Sequence, residues 1–485
     1  MSSILRGGRL PATRGDVVDF ISSVRDDKRI ALSTIFANEA HVIGLVKAKA
    51  VNRRDARRIL NALRELETRE VPIDGVEDIH VAIEEYVTRR TGRKIGGQLH
   101  LGKSRNDQVA TAIRMTLRDD LLKLSGLLIS LELAILGLAR KHVYSVFPGY
   151  THLQPAQPIS FAHYLLANGD SILRDNERLI EIMTRINKSP MGSGALAGTS
   201  VNLDRAFVGR LLGFDGILEV SLDAVGSRDF VLEALSAFAM TALDISRMAQ
   251  DLIFYGSADV GLLTVPDEFA STSSIMPQKK NPDPLEVIRA RCAKVMSNFN
   301  SAVVTMHALP SGYNLDFQEI TSLVWQSIDT LVSCVCILVE LLPRVGLNNA
   351  IAERQHLQWT TAAEIANILA REDKMAFRKA HRVVGIAVRK ALDEGKTLAK
   401  LTPLDWQAIA RKALTKKTNT LIIQALDLQQ HLYLYRTRGS ANPNEMKRII
   451  TQRRNRSKAL QRDNARMLAR SSRALRQLHA WSKKV

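Results

Sequence analysis

Cysteine is scarce in this chain of 485 residues, with only Cys292, Cys334 and Cys336. Three are too few, and wrongly spaced, for a disulfide framework or a zinc site, because side chains two apart on a helix diverge. They are expected to be reduced core residues. Aromatic residues make up 5% of the chain while 46% is apolar, so the core has to be built from Leu, Ile, Val, Ala and Met. That composition favours packed helices over a sheet sandwich. Uninterrupted apolar runs of membrane-spanning length are also missing. The longest, Leu331 to Leu342, is broken by Ser333 and Glu340, and no N-terminal stretch joins a basic start to a sufficient apolar run. A soluble, cytoplasmic protein with no membrane contact is expected.

Acidic residues are missing from one place in particular. Lys447 to Val485 holds thirteen Lys or Arg against one acid, Asp463, and so carries twelve of the nineteen excess positive charges. Without this tail the chain is only mildly basic. Nucleic-acid binding therefore becomes a question about the C-terminus alone, where Arg466, Arg470, Arg473 and Arg476 would share one helix face. A solvated terminal helix is the favoured reading of that segment, with an RNA or acidic-surface contact as the alternative.

What the chain does have is long helical periodicity. Val231, Leu235, Phe238, Ala242, Ile245, Ala249 and Leu252 alternate steps of four and three, which predicts one buried stripe on a helix beginning near Ser227. Similar stretches run from about Arg105 to Lys141, Phe161 to Ile186, Pro284 to Leu309 and Glu319 to Leu342. Helices of this length reach roughly 40–55 Å, well beyond the usual. Five of them side by side expose apolar flanks, which predicts a homo-oligomer. The expected architecture is mainly α. A central long-helix bundle with a functional loop (103–351) stands between an N-terminal helical domain (1–102) and a C-terminal helical domain with its basic tail from about 447 (352–485).

Three polar segments interrupt this apolar text: Gly96 to Gln108, Gly149 to Pro158, and Ser271 to Pro284. Each is rich in hydrogen-bond donors and reads as a helix start, a natural receptor for carboxylates. Any one of them could be no more than a set of helix caps. Their combination is more specific. Met276-Pro277-Gln278-Lys279-Lys280-Asn281-Pro282-Asp283 after Ser273-Ser274, Ser104 to Gln108, Thr151 to Gln154, Glu77 to His80, and Tyr313 to Glu319 together resemble the fumarase and aspartase superfamily and, within it, the argininosuccinate lyases. The resemblance spans roughly residues 5 to 455.

That resemblance implies a carbon–nitrogen lyase that eliminates arginine from argininosuccinate to leave fumarate, the last step of arginine biosynthesis, without metal or organic cofactor. It also implies a tetramer whose active sites are each assembled from three subunits. By position, Ser273 matches the catalytic serine on a mobile loop, and His152 the other acid–base group with Glu286 as its paired carboxylate. Lys279 and Asn281 match residues that hold the substrate carboxylate and stabilise the carbanion. Asn106, Thr151, Tyr313 and Gln318 match substrate-binding positions, with Arg105 beside them, and Asn38 stands where a substrate-contacting serine is usual. Residue types leave open whether Ser273 or His152 removes the proton, with Ser273 preferred. The chain departs from the pattern at Thr272, usually glycine, which should stiffen the loop. It departs also at Thr321, often lysine, and at Leu101 and Lys103, usually Thr and Arg. Two other readings stand beside this one: a superfamily lyase releasing a different amine with fumarate, and a catalytically silent structural relative.

Overall fold

The computed structural model describes residues 13–73, 75–348, 350 and 355–485. Besides shorter helical turns, the helices α1 (Ala31–Lys47), α2 (Arg53–Glu67) and α3 (Ile79–Thr91) precede the first long helix, α4 (Arg105–Lys141). The other bundle helices are α5 (Phe161–Ile186), α6 (Asp229–Gly256), α7 (Asp283–Met306) and α8 (Phe317–Leu341). Then follow α9 (Ala362–Glu372), α10 (Phe377–Asp393), α11 (Pro403–Ala410), α12 (Lys416–Leu426) and the last helix, α13 (Pro443–Lys484). The five expected long helices are therefore present, with ends shifted by a few residues. All seven stripe residues of α6 are buried, as a bundle helix requires.

The start of α4 is fixed by polar chemistry. The Ser104 side chain caps the helix and Asp107 reaches back to the Ser104 N–H, a reciprocal capping box. The other Asp107 oxygen accepts the backbone N–H groups of Gly192 and Gly194 at 3.0 and 2.9 Å. Gly194 has φ +62°, and a Cβ there would stand 2.6 Å from the Gly198 carbonyl oxygen, so the turn that presents these N–H groups requires glycine. One buried carboxylate thus joins the first turn of α4 to the glycine-rich segment after α5.

The described residues form two large apolar cores. Most buried apolar residues of α1 to α3 share one continuous core with the bundle, beside a small cluster of Val76, Val81 and Ala82. A second core runs from Ile365 to Ala425. The expected boundary at 351 and 352 falls outside the described residues. The 42-residue α13 leaves that second core and lies along α4. Met446, Ile450 and Leu478 enter the main core, and the buried Asn464 donates to the Leu122 carbonyl at 2.9 Å. Arg453, Arg456 and Arg470 pair with Asp170, Glu177 and Asp215. The basic tail is thus a terminal helix packed on the bundle by one face, with Arg466, Arg473 and Arg476 exposed to solvent and Arg470 paired within the chain.

Three further expectations change. Gly149 to Pro158 is a β-hairpin, β1 (Val146–Thr151) paired antiparallel with β2 (Gln154–Ser160), and not a helix start. Cys292 and Cys334 are buried but Cys336 is exposed. Val24–Lys47, Arg105–Lys141 and Phe317–Arg344 are long and apolar enough, by length and composition, to cross a membrane, although 72%, 61% and 44% of their most apolar stretches lie buried inside the molecule. Counting uninterrupted runs had overlooked these stretches.

The Asp107 junction yields a stability prediction. Asp107→Ala leaves the N–H groups of Gly192, Gly194 and Ser104 without acceptors and should destabilise the fold by about 3 kcal/mol or more. A urea midpoint unchanged from wild type would refute this.

Candidate active site

A cavity of about 410 Å³ opens where the segment before α1, the start of α3, the first turn of α4 and the start of α8 converge. Four of the expected residues line it: Arg105, Asn106, Tyr313 and Gln318. Arg105 pairs with Glu77 at 2.7 Å and with Asp78, so the Glu77 to His80 block serves as its counter-charge. Asn106 donates to the Ala195 carbonyl at 3.0 Å, which ties it to the glycine-rich segment. Thr321 is also in the lining, buried, with its hydroxyl donating to the Phe317 carbonyl.

Arg228 lines the same cavity and was missed by sequence reasoning. Its side chain is almost wholly buried at 1% exposure. The guanidinium stacks over Phe317, 4.6 Å from the ring centroid, and faces Tyr313 at 6.0 Å. Nη1 donates to the carbonyls of Val225 and Ser227, while Nε and Nη2 have no partner among the described residues. Burial pushes its pKa down to about 10, so at neutral pH it stays charged with donors unsatisfied. Such an arrangement is expensive unless an anion completes it. The only cue in the sequence was an arginine at the head of the α6 stripe, and its burial could not be read there.

Opposite these donors stand acids. Asp27 accepts from the Ser23 hydroxyl at 2.7 Å, and burial pushes its carboxyl up to about 7, with the nearby Asp78 adding to the rise. His80, buried in the same lining, is pushed by burial down to about 4 and is neutral. The cavity thus offers cationic donors and carboxylates together.

Asn38 is placed elsewhere than expected. It is 1% exposed, lies outside the cavity lining, and accepts a hydrogen bond from Lys103. Within the chain it is a partner for a buried lysine. Burial lowers Lys103 to about 8 despite Glu84 and Asp107 nearby. Where the family pattern has arginine, this chain therefore carries a buried point charge held by Asn38 and Gln108.

The remaining expected residues occupy two other places. Thr151 and His152 are exposed at the tip of the β1–β2 hairpin. Thr151 pairs with Gln154, leaving His152 and Leu153 as a two-residue turn with φ 53° and 57°. Primed turns of this kind normally take Asn and Gly, so a histidine here is held in an unfavourable conformation, a recurrent property of functional positions. The Ser271 to Pro284 segment is a second hairpin, β3 (Ser271–Thr272) paired with β4 (Lys280–Asn281). Thr272 therefore sits in an extended strand opposite Lys280. At the tip, the Ser273 hydroxyl oxygen accepts the N–H of Met276 at 3.1 Å and that of Ile275 at 3.4 Å. Lys279 is exposed, Asn281 half-buried, and Glu286 exposed in the first turn of α7. None of His152, Ser273, Lys279, Asn281 and Glu286 lines the cavity.

Comparison with known proteins identifies the family. A family model described as "Lyase" matches residues 19–297, and one described as "Argininosuccinate lyase C-terminal" matches 359–432. The argininosuccinate lyase of Methanocaldococcus jannaschii is 36% identical over 92% of this chain and 93% of its own length. That of Archaeoglobus fulgidus is 40% identical over 89% and 88%. The chain belongs to the argininosuccinate lyase family. Among solved structures, EDDS lyase in complex with formate superposes with a TM-score of 0.87 at 26% identity, over 94% of this chain and 92% of that one. The C-terminal match coincides with the second apolar core, so this small helical unit is a family feature and not an appendage.

The cavity acids carry a pH signature. Asp27 has a folded pKa near 7, above its unfolded value, so its ionisation opposes folding. Stability falls as pH rises from the unfolded pKa through 7, and the full cost is present above that. Asp27→Asn removes it. The variant should melt above wild type at pH 8 and level with it at pH 4, as followed by thermal denaturation. An equal gain at both pH values would contradict the assignment.

Proposed function

We propose that this protein eliminates arginine from argininosuccinate to leave fumarate, in active sites each shared between copies of the chain. The observation that carries the reading is the split of family residues into three places on one chain. The cavity holds the binding residues Arg105, Asn106, Tyr313 and Gln318, while the hairpin of His152 and the loop of Ser273 stand exposed away from it. Acid–base chemistry at two hairpin tips away from the cavity is useful only if a neighbouring copy brings its own cavity to them.

The reaction requires loss of a weakly acidic proton beside a carboxylate, then departure of a guanidinium nitrogen. Ser273 acts as the base. Its oxygen already accepts main-chain N–H groups, an environment that stabilises the alkoxide an unassisted serine could not sustain. Lys279 and Asn281 flank it on the same hairpin and hold the carboxylate on which negative charge develops. His152, paired with Glu286 across a subunit boundary, is the second acid–base group. In the cavity, the unpaired N–H groups of Arg228 with Asn106 and Gln318 receive carboxylates. Asp27 and Asp78 face the cationic end of the substrate. A molecule with carboxylates at both ends and a guanidinium between them matches this double polarity.

Assembly as a cytoplasmic homotetramer fits the bundle's flanks, where Met240 and Leu243 of α6, Val287, Val303 and Val304 of α7, and Ile337 of α8 are all at least 40% exposed. Apolar side chains on three neighbouring long helices require a covering surface.

Two experiments test the reading. Fumarate absorbance should rise when purified protein meets argininosuccinate, and stay flat with adenylosuccinate or aspartate. Ser273→Ala and His152→Asn should each lower kcat by about 10²–10⁴-fold, yet mixing the two unfolded variants and refolding them together should restore part of the activity. No recovery in mixed oligomers would mean that each site lies within one chain. Separately, Arg228→Met should lower kcat/KM by about 10²-fold or more without changing the oligomer's size. Near-normal turnover would remove Arg228 from the site.

A further inference from the structure

We propose that Glu39, Glu67 and His479 form a divalent-metal site, with Zn²⁺ the fitting ion, that clamps the last turns of α13 to α1 and α2. Glu39 lies midway along α1, Glu67 is the final residue of α2, and His479 stands near the end of α13. One carboxylate oxygen from each acid and one imidazole nitrogen lie within 4.8 Å of one another. Residues so distant in sequence converge here only because α13 returns across the molecule to the N-terminal helices.

The independent sign of a ligand is Glu39 itself. It is 0% exposed, and neither carboxylate oxygen has a hydrogen-bond partner. A buried carboxylate without a partner is among the most costly arrangements in a protein. Arg64, the nearby cation, does not relieve it, because its guanidinium donates instead to the Ser482 hydroxyl. The gap between the two acids calls for something positive, either a proton or a cation.

The third group favours the cation. His479 Nε2 lies 3.2 Å from the Glu67 carboxylate, yet the two are not aligned for a hydrogen bond. A close approach without a hydrogen bond is the geometry of two ligands sharing an ion, whose donor atoms stand about 3.3 Å apart around tetrahedral zinc. The His479 ring is oriented by an edge contact with Phe36, centroids 5.8 Å apart. One imidazole and two carboxylates select zinc-like transition ions over Ca²⁺ or Mg²⁺. The His479 side chain is 39% exposed and that of Glu67 18%, so an ion could enter from solvent and keep a water as its fourth ligand. None of the three residues lines the catalytic cavity, so the site is structural and independent of the proposed reaction.

The test uses the full-length protein stripped with a chelator, dialysed against buffered Zn²⁺ and desalted, with bound metal counted by mass spectrometry and melting followed in parallel. The expected result is about one zinc retained per chain and a melting temperature several degrees above the stripped protein. Glu39→Gln keeps the shape and hydrogen-bonding capacity of a protonated acid. It should lose both the retained zinc and the zinc-dependent shift. His479→Gln, at a partly exposed position, should do the same and decides the matter if Glu39→Gln does not fold. Zinc retained equally by wild type and both variants overturns the proposal. So does a wild type whose melting ignores zinc, in which case Glu39 and Glu67 share a proton.

Discussion

The carboxylate of Asp107 is the contact on which the site depends. It closes the capping box at the start of α4 and accepts two N–H groups from the glycine-rich segment. Arg105 and Asn106 lie on that same helical turn, so their positions follow from where Asp107 is held. Burial raises its pKa to about 6, opposed by the backbone N–H groups it accepts, and at neutral pH it remains an acceptor. Hydrogen bonds to an ionised acceptor are roughly twice as strong as neutral ones, and three of them make this junction stiff.

Around that junction the protein holds several charges out of water, each with a definite relation to a neighbour. Lys103 is surrounded by Asn38, Gln108 and the field of Glu84 and Asp107. Arg105 is matched by two acids. Arg228 is different, because aromatic faces and two carbonyls satisfy only part of its guanidinium. Groups left incomplete in this way are characteristic of sites that are completed by substrate. The contrast between Arg105, which the chain neutralises, and Arg228, which it does not, separates a positioning role from a binding role better than the residue type does.

The last helix changes how the chain's charge is understood. Its basic residues looked like a solvated or nucleic-acid-facing tail, yet several of them close ion pairs with acids of the bundle and its flanking loops. Exposed pairs of this type contribute little individually. The adhesion of α13 comes instead from its apolar stripe and from the buried Asn464 and Ser471, which hydrogen-bond to α4. The same return path brings His479 to Glu39 and Glu67, and hence creates the proposed metal site.

The sequence by itself determined the five long helices, their ends to within a few residues, and the identity of the family. Periodicity and local motifs are short-range properties, written in neighbouring letters. It also marked Ser273, His152 and the residues around Asn106, because their blocks are contiguous. Only the tertiary structure decided which of them meet. It placed Arg105, Asn106, Tyr313 and Gln318 in one cavity, moved Asn38 into a buried polar contact, and turned the His152 segment into a hairpin. It also revealed Arg228 and the Glu39, Glu67 and His479 cluster. The physical reason is that burial and unpaired polarity depend on what packs from far along the chain, and no local pattern encodes the environment a distant helix will supply.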